Sequence, residues 1–305
     1  MKVFSGGVAV ITGGGSGLGK AFAHRAADQG MKLVLADVQQ NAMDATLAEL
    51  RAKGAEAIGL RTDVSNPAQV QALADAAMQA YGKVNLLFNN AGVTAGGLVW
   101  ENSNEDWNWL LGVNLFGVIN GLRAFTPLML ASAKADASYE GHIVNTASMA
   151  GLLAGVASGI YAVSKHAVVA LSECLYQDLD LLTQQVHCSV LCPSYVPTSI
   201  GQSERNRPDA LASSSPLTAT QALAKQISND SIVAGPVSAS EVAQITFEAI
   251  EKEQFYIYTH PGTMTAVKNR FEHLLEQRNP PLSFEGNPVR IARRAKFVEV
   301  LRQSA

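Results

Sequence analysis

Val8-Ala9-Val10-Ile11-Thr12-Gly13-Gly14-Gly15-Ser16-Gly17-Leu18-Gly19 is the stretch that decides the fold. A β-branched run ends in a threonine, and five glycines follow within seven residues. An apolar run that short, stopped by glycines, reads as a buried strand running straight into a tight turn. Working outward, further short β-branched runs recur at Lys32 to Ala36, Ala57 to Arg61, Leu86 to Asn89, His142 to Thr146 and His187 to Cys192. A late one spans Phe255 to His260. Helical stretches separate them. Asn66-Pro67 opens one with a capping residue and a proline at the first helical position. Val70, Leu73, Ala77 and Tyr81 follow at helical spacing, and Gly82 ends it. Strands alternating with helices predict an α/β protein, a doubly wound parallel sheet with helices on both faces, in a single domain.

The 305 residues suit one large α/β domain. With 48% hydrophobic and 16% charged residues there is ample core material. The net charge of −3 gives no footprint for nucleic acid. No apolar run approaches the roughly 20 residues of a membrane span, so no membrane partner is expected. The three cysteines, Cys174, Cys188 and Cys192, form no disulfide framework. Cys188 and Cys192 would lie about 13 Å apart on one strand face. Reduced thiols and a cytoplasmic location are expected. The six histidines show no ligand spacing, so no catalytic metal is expected.

Three stretches depart from a minimal sheet-and-helix pattern. Ala131 to Gly141 reads as a polar insertion, and 199–236 as an irregular or helical substrate lid. Residues 1–262 are expected to form the dinucleotide-binding and catalytic unit, and 263–305 a helical extension of the same domain. The extension holds a helix from about Thr263 to Gln277 and a basic cluster of Arg290, Arg293, Arg294, Lys296 and Arg302, read as a solvated face.

A glycine loop between first strand and first helix lets backbone amides approach a pyrophosphate at a helix N-terminus. Gly13, Ser16, Gly17, Leu18 and Gly19 are the expected contacts of that loop. Asp37 closes the second strand, where a carboxylate can bind both ribose hydroxyls and repel a 2′-phosphate. No Lys or Arg stands at Gly14, Gly15, Ser16, Ala36 or Val38 to compensate, so NAD is expected over NADP. Capping of the next helix is the plainer role for Asp37.

Tyr161-Ala162-Val163-Ser164-Lys165 places an ammonium one helical turn from a phenol. Such a neighbour lowers the phenol's pKa toward usefulness as a base. Ser148 follows the strand ending at Thr146, where ligands sit in such sheets, and can hold a substrate oxygen. Lys165 can also bond the nicotinamide ribose.

Together these residues resemble the short-chain dehydrogenase/reductase family, in its short single-domain branch, over roughly residues 5 to 260. The resemblance implies a Rossmann-type fold. It implies that Asn90 of Asn89-Asn90-Ala91-Gly92 lies near the cofactor ribose while Asn89 steadies the sheet. Asp63 and Val64 would contact adenine, and Asn114 would be a fourth catalytic residue that positions a water in a relay through Lys165. Pro193-Ser194-Tyr195-Val196-Pro197-Thr198 replaces the family's Pro-Gly-x-Val-x-Thr. Val196 and Thr198 fit the carboxamide contact, Tyr195 would shape the substrate pocket, and Ser194 stands where glycine is usual. The helices leading from Asn104 and Tyr161 would form the interface of a homodimer or homotetramer.

Met149, Leu152, Leu153, Val156, Tyr195, Ile200 and Leu211 would line the substrate side, with core packing the simpler expectation for Trp100, Trp107 and Trp109. The loop from Leu152 to Gly159 is uncharged, and no fixed cation is placed for an anion. The expected activity is NAD-dependent hydride transfer with a bulky hydrophobic or aromatic secondary alcohol or its ketone. The alternative is a catalytically silent NAD-binding redox sensor. An enoyl reductase is disfavoured by the close Tyr161–Lys165 spacing.

Overall fold

The computed structural model describes residues 1–213, 215–282 and 288–303, and of Arg290 only the backbone. Seven parallel strands form one sheet: β1 (Val8–Thr12), β2 (Lys32–Asp37), β3 (Ala57–Arg61), β4 (Leu86–Asn89), β5 (Gly141–Thr146), β6 (Val186–Cys192) and β7 (Tyr256–Tyr258). Their order is β3-β2-β1-β4-β5-β6-β7. Every strand except the edge pair β3 and β7 is almost wholly buried, because helices cover both faces. The helices are α1 (Gly17–Asp28), α2 (Gln40–Ala52), α3 (Pro67–Tyr81), α4 (Asn104–Leu111), α5 (Gly117–Ala135), α6 (Gly159–Asp180), α7 (Ala219–Val233), α8 (Ala239–Glu251), α9 (Met264–Leu275) and α10 (Pro288–Gln303). This is the doubly wound, Rossmann-like arrangement that the alternation of elements predicts.

The strand order reverses between β1 and β4. The crevice at such a switch point, outside the carboxyl ends of the strands, is where this architecture binds ligands. One face packs Phe22, Phe88 and Phe247, with Phe22 and Phe88 stacked 4.5 Å apart. The opposite face packs Leu73, Phe125 and Ile143.

The local signals explain the helix ends. Asn66 Oδ1 accepts from the Ala68 and Gln69 amides, and Gly82 closes α3 at φ 72°. The polar insertion expected from Ala131 shrinks to 136–140. Helix-forming Ala131, Ala133, Lys134 and Ala135 carry α5 on to Ala135. Tyr139 then turns inward and hydrogen-bonds the Val84 carbonyl.

α4 and α5 are fused through a π-helical turn, Gly112–Phe116. The fused helix Asn104–Ala135 is long and apolar enough to cross a membrane by length and composition, which corrects the expectation that nothing approached that length. Here it packs against α3 and β4 and carries the buried Asn114 and Asn120.

Candidate active site

The glycine loop is shaped by backbone sterics. Gly13 has φ 66° and Gly17 φ 52°, values that favour glycine. A Cβ at Gly13 would stand 3.0 Å from the Ala91 Cα, and one at Gly19 only 2.0 Å from the Gly13 carbonyl oxygen. The loop therefore presses against both its own helix and the β4 end, with little room for side chains. Ser16 precedes α1 with an extended backbone and makes no side-chain capping bond. Ser16 and Leu18 line the cleft beside it.

Thr12, unremarked in the sequence, organises the crevice. Its Oγ1 accepts from the Asn90 and Ala91 amides, and its carbonyl accepts from Asn90 Nδ2 at 2.9 Å. Asn89 Nδ2 donates to Asn145, which donates on to Ser172, a buried chain tying β4 and β5 to α6.

Asp37 accepts from the Gly15 amide through Oδ2 and from the Gln39 amide through Oδ1, both at 2.9 Å. It thus braces the loop and the start of α2 while lining the cleft. Sheet register sets Arg61 opposite Asp37, with its Nε donating to the Val38 carbonyl. That cation was missed because pairing across strands is invisible in a linear reading. Asp63 Oδ1 accepts from Ser65, and the Val64 carbonyl accepts from Asn120.

Ser148, Tyr161 and Lys165 all line the same cleft. Ser148 Oγ accepts from the Ala150 amide at 3.1 Å and donates to the Pro193 carbonyl at 3.3 Å. Lys165 Nζ donates to the Thr146 carbonyl at 2.8 Å and stands 5.8 Å from the centre of the Tyr161 ring. Burial pushes Tyr161 up to about 12, with nearby Ser148 opposing and Tyr195 adding to the rise. Burial also lowers Lys165 to about 8, with Cys192 opposing. The expected lowering of the phenol is thus not seen: burial outweighs it, and the ammonium is directed at a carbonyl instead of the phenolic oxygen.

Asn114 sits in the π-turn. Its Oδ1 accepts from the Val93 amide at 2.8 Å, and its Nδ2 donates to the Val93 carbonyl and to Ser164 Oγ. A Cβ placed on Gly92 would lie 3.5 Å from Asn114 Oδ1 and 3.7 Å from Lys165 Nζ, so the two flank the same backbone.

Ser194 has no positive φ, so glycine is not required there. Its amide donates to His260 Nδ1. Val196 is buried, Thr198 lies over Gly17, and Tyr195 is half-exposed; all three line the cleft. Met149, Leu153, Val156, Ile200 and Leu211 line the cleft, but Leu152 turns into the core. Trp109 is buried and lines the cleft, whereas Trp100 is 81% exposed and belongs to neither core nor mouth.

The 199–236 stretch is ordered by side chains from segments far apart along the chain. A 3₁₀ turn, Ser199–Asn206, bridges the crevice: Ser203 Oγ accepts from the Thr94 amide, and the Arg205 carbonyl accepts from Gln39 Nε2. Arg207 then pairs with Asp106 at 2.8 Å and lies over the Trp109 ring, fastening this stretch to α4. α7 begins with a capping box of Thr218 and Gln221, and Thr220 bonds Glu101.

The cleft encloses about 1700 Å³ and runs from Gly13 to α9 and α10. Among the described residues no group of three or more His, Cys, Asp or Glu is placed to hold a metal. Cys188 and Cys192 are buried thiols pushed up to about 12, and all three cysteines are free.

Residues 7–209 match the family model described as short chain dehydrogenase. A solved short-chain dehydrogenase/reductase from Burkholderia phymatum, in complex with NAD, shares 54% identity over 93% of this chain and all of its own, with a TM-score of 0.90. A CLA biosynthesis dehydrogenase/reductase of Lactiplantibacillus plantarum is 31% identical over 282 residues, 92% of this chain and 97% of that protein. A 1-deoxy-11-beta-hydroxypentalenate dehydrogenase of Streptomyces avermitilis is 31% identical over 265 residues, 86% of this chain and 88% of that protein. A glycine loop at the switch point, a serine–tyrosine–lysine cleft beside it and these matches lead to one conclusion: the chain belongs to the short-chain dehydrogenase/reductase family of oxidoreductases.

Proposed function

We propose that the protein is an NAD-dependent dehydrogenase of a bulky, largely hydrophobic secondary alcohol, or equally the reductase of its ketone. The observation that carries this reading is the meeting of Ser148, Tyr161 and Lys165 in the cleft that begins at the glycine loop. A nicotinamide dinucleotide, when bound, supplies the hydride acceptor and a positive charge. Gly13, Ser16, Gly17, Leu18 and Gly19 hold its pyrophosphate. Asp37, Asn90, Asp63 and Val64 hold its adenosine and ribose groups, and Val196 and Thr198 its carboxamide.

Ser148 Oγ holds the substrate oxygen, and Tyr161 takes the alcohol proton. Burial raises the phenol, and positive charge beside it would favour its deprotonated form. Lys165 supplies part of that charge and passes the proton onward, with Asn114 holding a water in the path. Tyr195, Met149 and Val156 form an apolar wall suited to a bulky skeleton. Three free thiols, the exposed Cys174 among them, support a cytosolic location. The exposed apolar side chains Phe116 and Val163, on the π-turn and α6, support burial of these helices between subunits of a homodimer or homotetramer.

A panel of hydrophobic secondary alcohols, followed by NADH absorbance, tests the reading. Turnover of aryl or alicyclic alcohols is expected; turnover of small hydroxy acids alone would count against it. Tyr161→Phe should cut kcat by about 10³-fold while NAD still binds. A silent NAD sensor would respond to neither test. The preference for NAD rests on the Asp37 carboxylate, with Arg61 as the nearby cation. Asp37→Ser should raise kcat/KM with NADP relative to NAD by at least about tenfold.

A further inference from the structure

Ser148 is held from behind by a single peptide group. Pairing between β5 and β6 continues past the strand ends: the Ala147 amide donates to the Leu191 carbonyl and the Met149 amide to the Pro193 carbonyl, both at 2.8 Å. Ser148 Oγ donates to that same Pro193 carbonyl at 3.3 Å. The direction of the hydroxyl proton therefore depends on where one carbonyl points.

The other side of that peptide is the Ser194 amide. It donates to His260 Nδ1 at 3.2 Å. His260 follows β7 and is buried, and Thr259 Oγ1 lies 2.8 Å from the same Nδ1. A ring nitrogen that receives a backbone N–H carries a lone pair, so Thr259 also donates and the ring proton stands on Nε2. Imidazole, peptide and serine hydroxyl then form one chain of donors and acceptors. Such links polarise one another: a peptide whose N–H is engaged has a carbonyl that accepts more strongly. The segment has little room to slide away, because a Cβ on Gly235, in the turn between α7 and α8, would stand 2.4 Å from the Tyr195 carbonyl oxygen.

Protonation would break the first link. An imidazolium has two donors and no acceptor, so the Ser194 amide would face another N–H. Burial lowers the His260 pKa from the usual histidine value, with the Tyr195 carbonyl opposing. The ionisable neighbours in the groove around the ring are the Tyr195 phenol and Arg293 of α10, which leaves the solvated face expected of the basic tail to bond Ser231. Among the described residues no carboxylate lines that groove to favour the imidazolium.

We propose that His260 is a positioning residue for Ser148: the neutral ring, accepting from the Ser194 amide, sets the Pro193–Ser194 peptide and so aims the hydroxyl that holds the substrate oxygen. The inference rests on the reading that Ser148 holds that oxygen.

Amide NMR of the protein without substrate reads the linkage directly. The Ser194 and Met149 amides should shift together as pH falls below the usual histidine value of about 6.5, because both hang on one peptide. His260→Asn, whose Oδ1 takes the place of Nδ1 and cannot be protonated, should remove both shifts. Turnover of 1-(2-naphthyl)ethanol with NAD gives the second measure. His260→Phe leaves the amide unpaired and should lower kcat about tenfold, with the Kd for NAD changed by less than about threefold. His260→Gln, whose oxygen reaches the Nε2 position instead, should lose as much. His260→Asn should recover most of the rate and flatten the fall of kcat below about pH 6.5. In a Ser148→Ala background none of the three should lower kcat further. A Met149 amide that ignores both pH and the variants, Asn and Gln variants of equal rate, or an added loss on top of Ser148→Ala would overturn the proposal. Native kcat in Ser148→Ala would sink the role given to Ser148, on which the inference rests. Coupled amide shifts in a protein that oxidises no alcohol would uphold the link from ring to serine and sink the assigned reaction.

Discussion

The two ends of the cleft are built on different principles. At the dinucleotide end, backbone meets backbone: the Gly19 position touches the Gly13 carbonyl, the Asn90 and Ala91 amides rest on Thr12, and both oxygens of Asp37 hold main-chain amides. At the substrate end, side chains from distant segments hold one another, as Arg207 does with Asp106 and Trp109. A backbone-built site leaves little freedom for substitution. A side-chain-built site can change its occupant by changing a few residues. The same architecture can therefore keep one cofactor and vary the alcohol.

Breaking the first kind of construction should have the larger effect. Gly19→Ala drives a methyl group into the Gly13 carbonyl. It should cost about 3 kcal/mol, the upper range for overpacking, and abolish NAD binding, as judged by denaturant unfolding and calorimetry. An alanine variant that binds NAD normally would show the loop to be more yielding than its contacts imply.

Arg207→Met probes the second kind. It leaves Asp106, whose side chain is only 12% exposed, without its cation. The expected loss is about 2 kcal/mol, with KM for the alcohol rising more than the Kd for NAD and protease cutting faster within 199–211. Equal effects on alcohol and dinucleotide would mean that the two ends are not separable.

The smallest effect sharpens the contrast with the sheet beneath both ends. His142 is fully buried in β5, and burial holds its pKa well below the usual histidine value. Ser189 Oγ donates to the Gln254 carbonyl, so His142 Nε2 carries the proton and donates to Ser189. The folded protein keeps this ring neutral while the unfolded chain protonates it below about pH 6.5. Stability from this group is therefore present above that pH and falls below it, by up to about 1.4 kcal/mol per pH unit. His142→Gln should flatten the slope of unfolding free energy between pH 6.5 and 5; an unchanged slope would place the acid sensitivity elsewhere.

The contrast between the ends also explains what a linear reading could reach. Strand periodicity, the Asn66 cap and the positive-φ glycines are local, so the sheet and the dinucleotide loop were legible from short windows. Ser148, Tyr161 and Lys165 were legible because their spacing is fixed by one strand end and one helix turn. Arg61 beside Asp37, Arg207 over Trp109 and His260 against the Ser194 amide depend on register and docking between segments far apart in sequence. The π-turn at Asn114 has no compositional mark, so the join of the helix leading from Asn104 to α5 is invisible in the sequence.

The Ser199–Asn206 turn spans the crevice from Thr94 to Gln39, one hydrogen bond at each bank. A molecule lying beneath such a bridge has to arrive before it and depart after it. The kinetic signature is a compulsory order, with coenzyme first on and last off: NADH should inhibit competitively against NAD, while the ketone should not. Exchange of spent coenzyme would then require the turn to lift from both banks of the crevice.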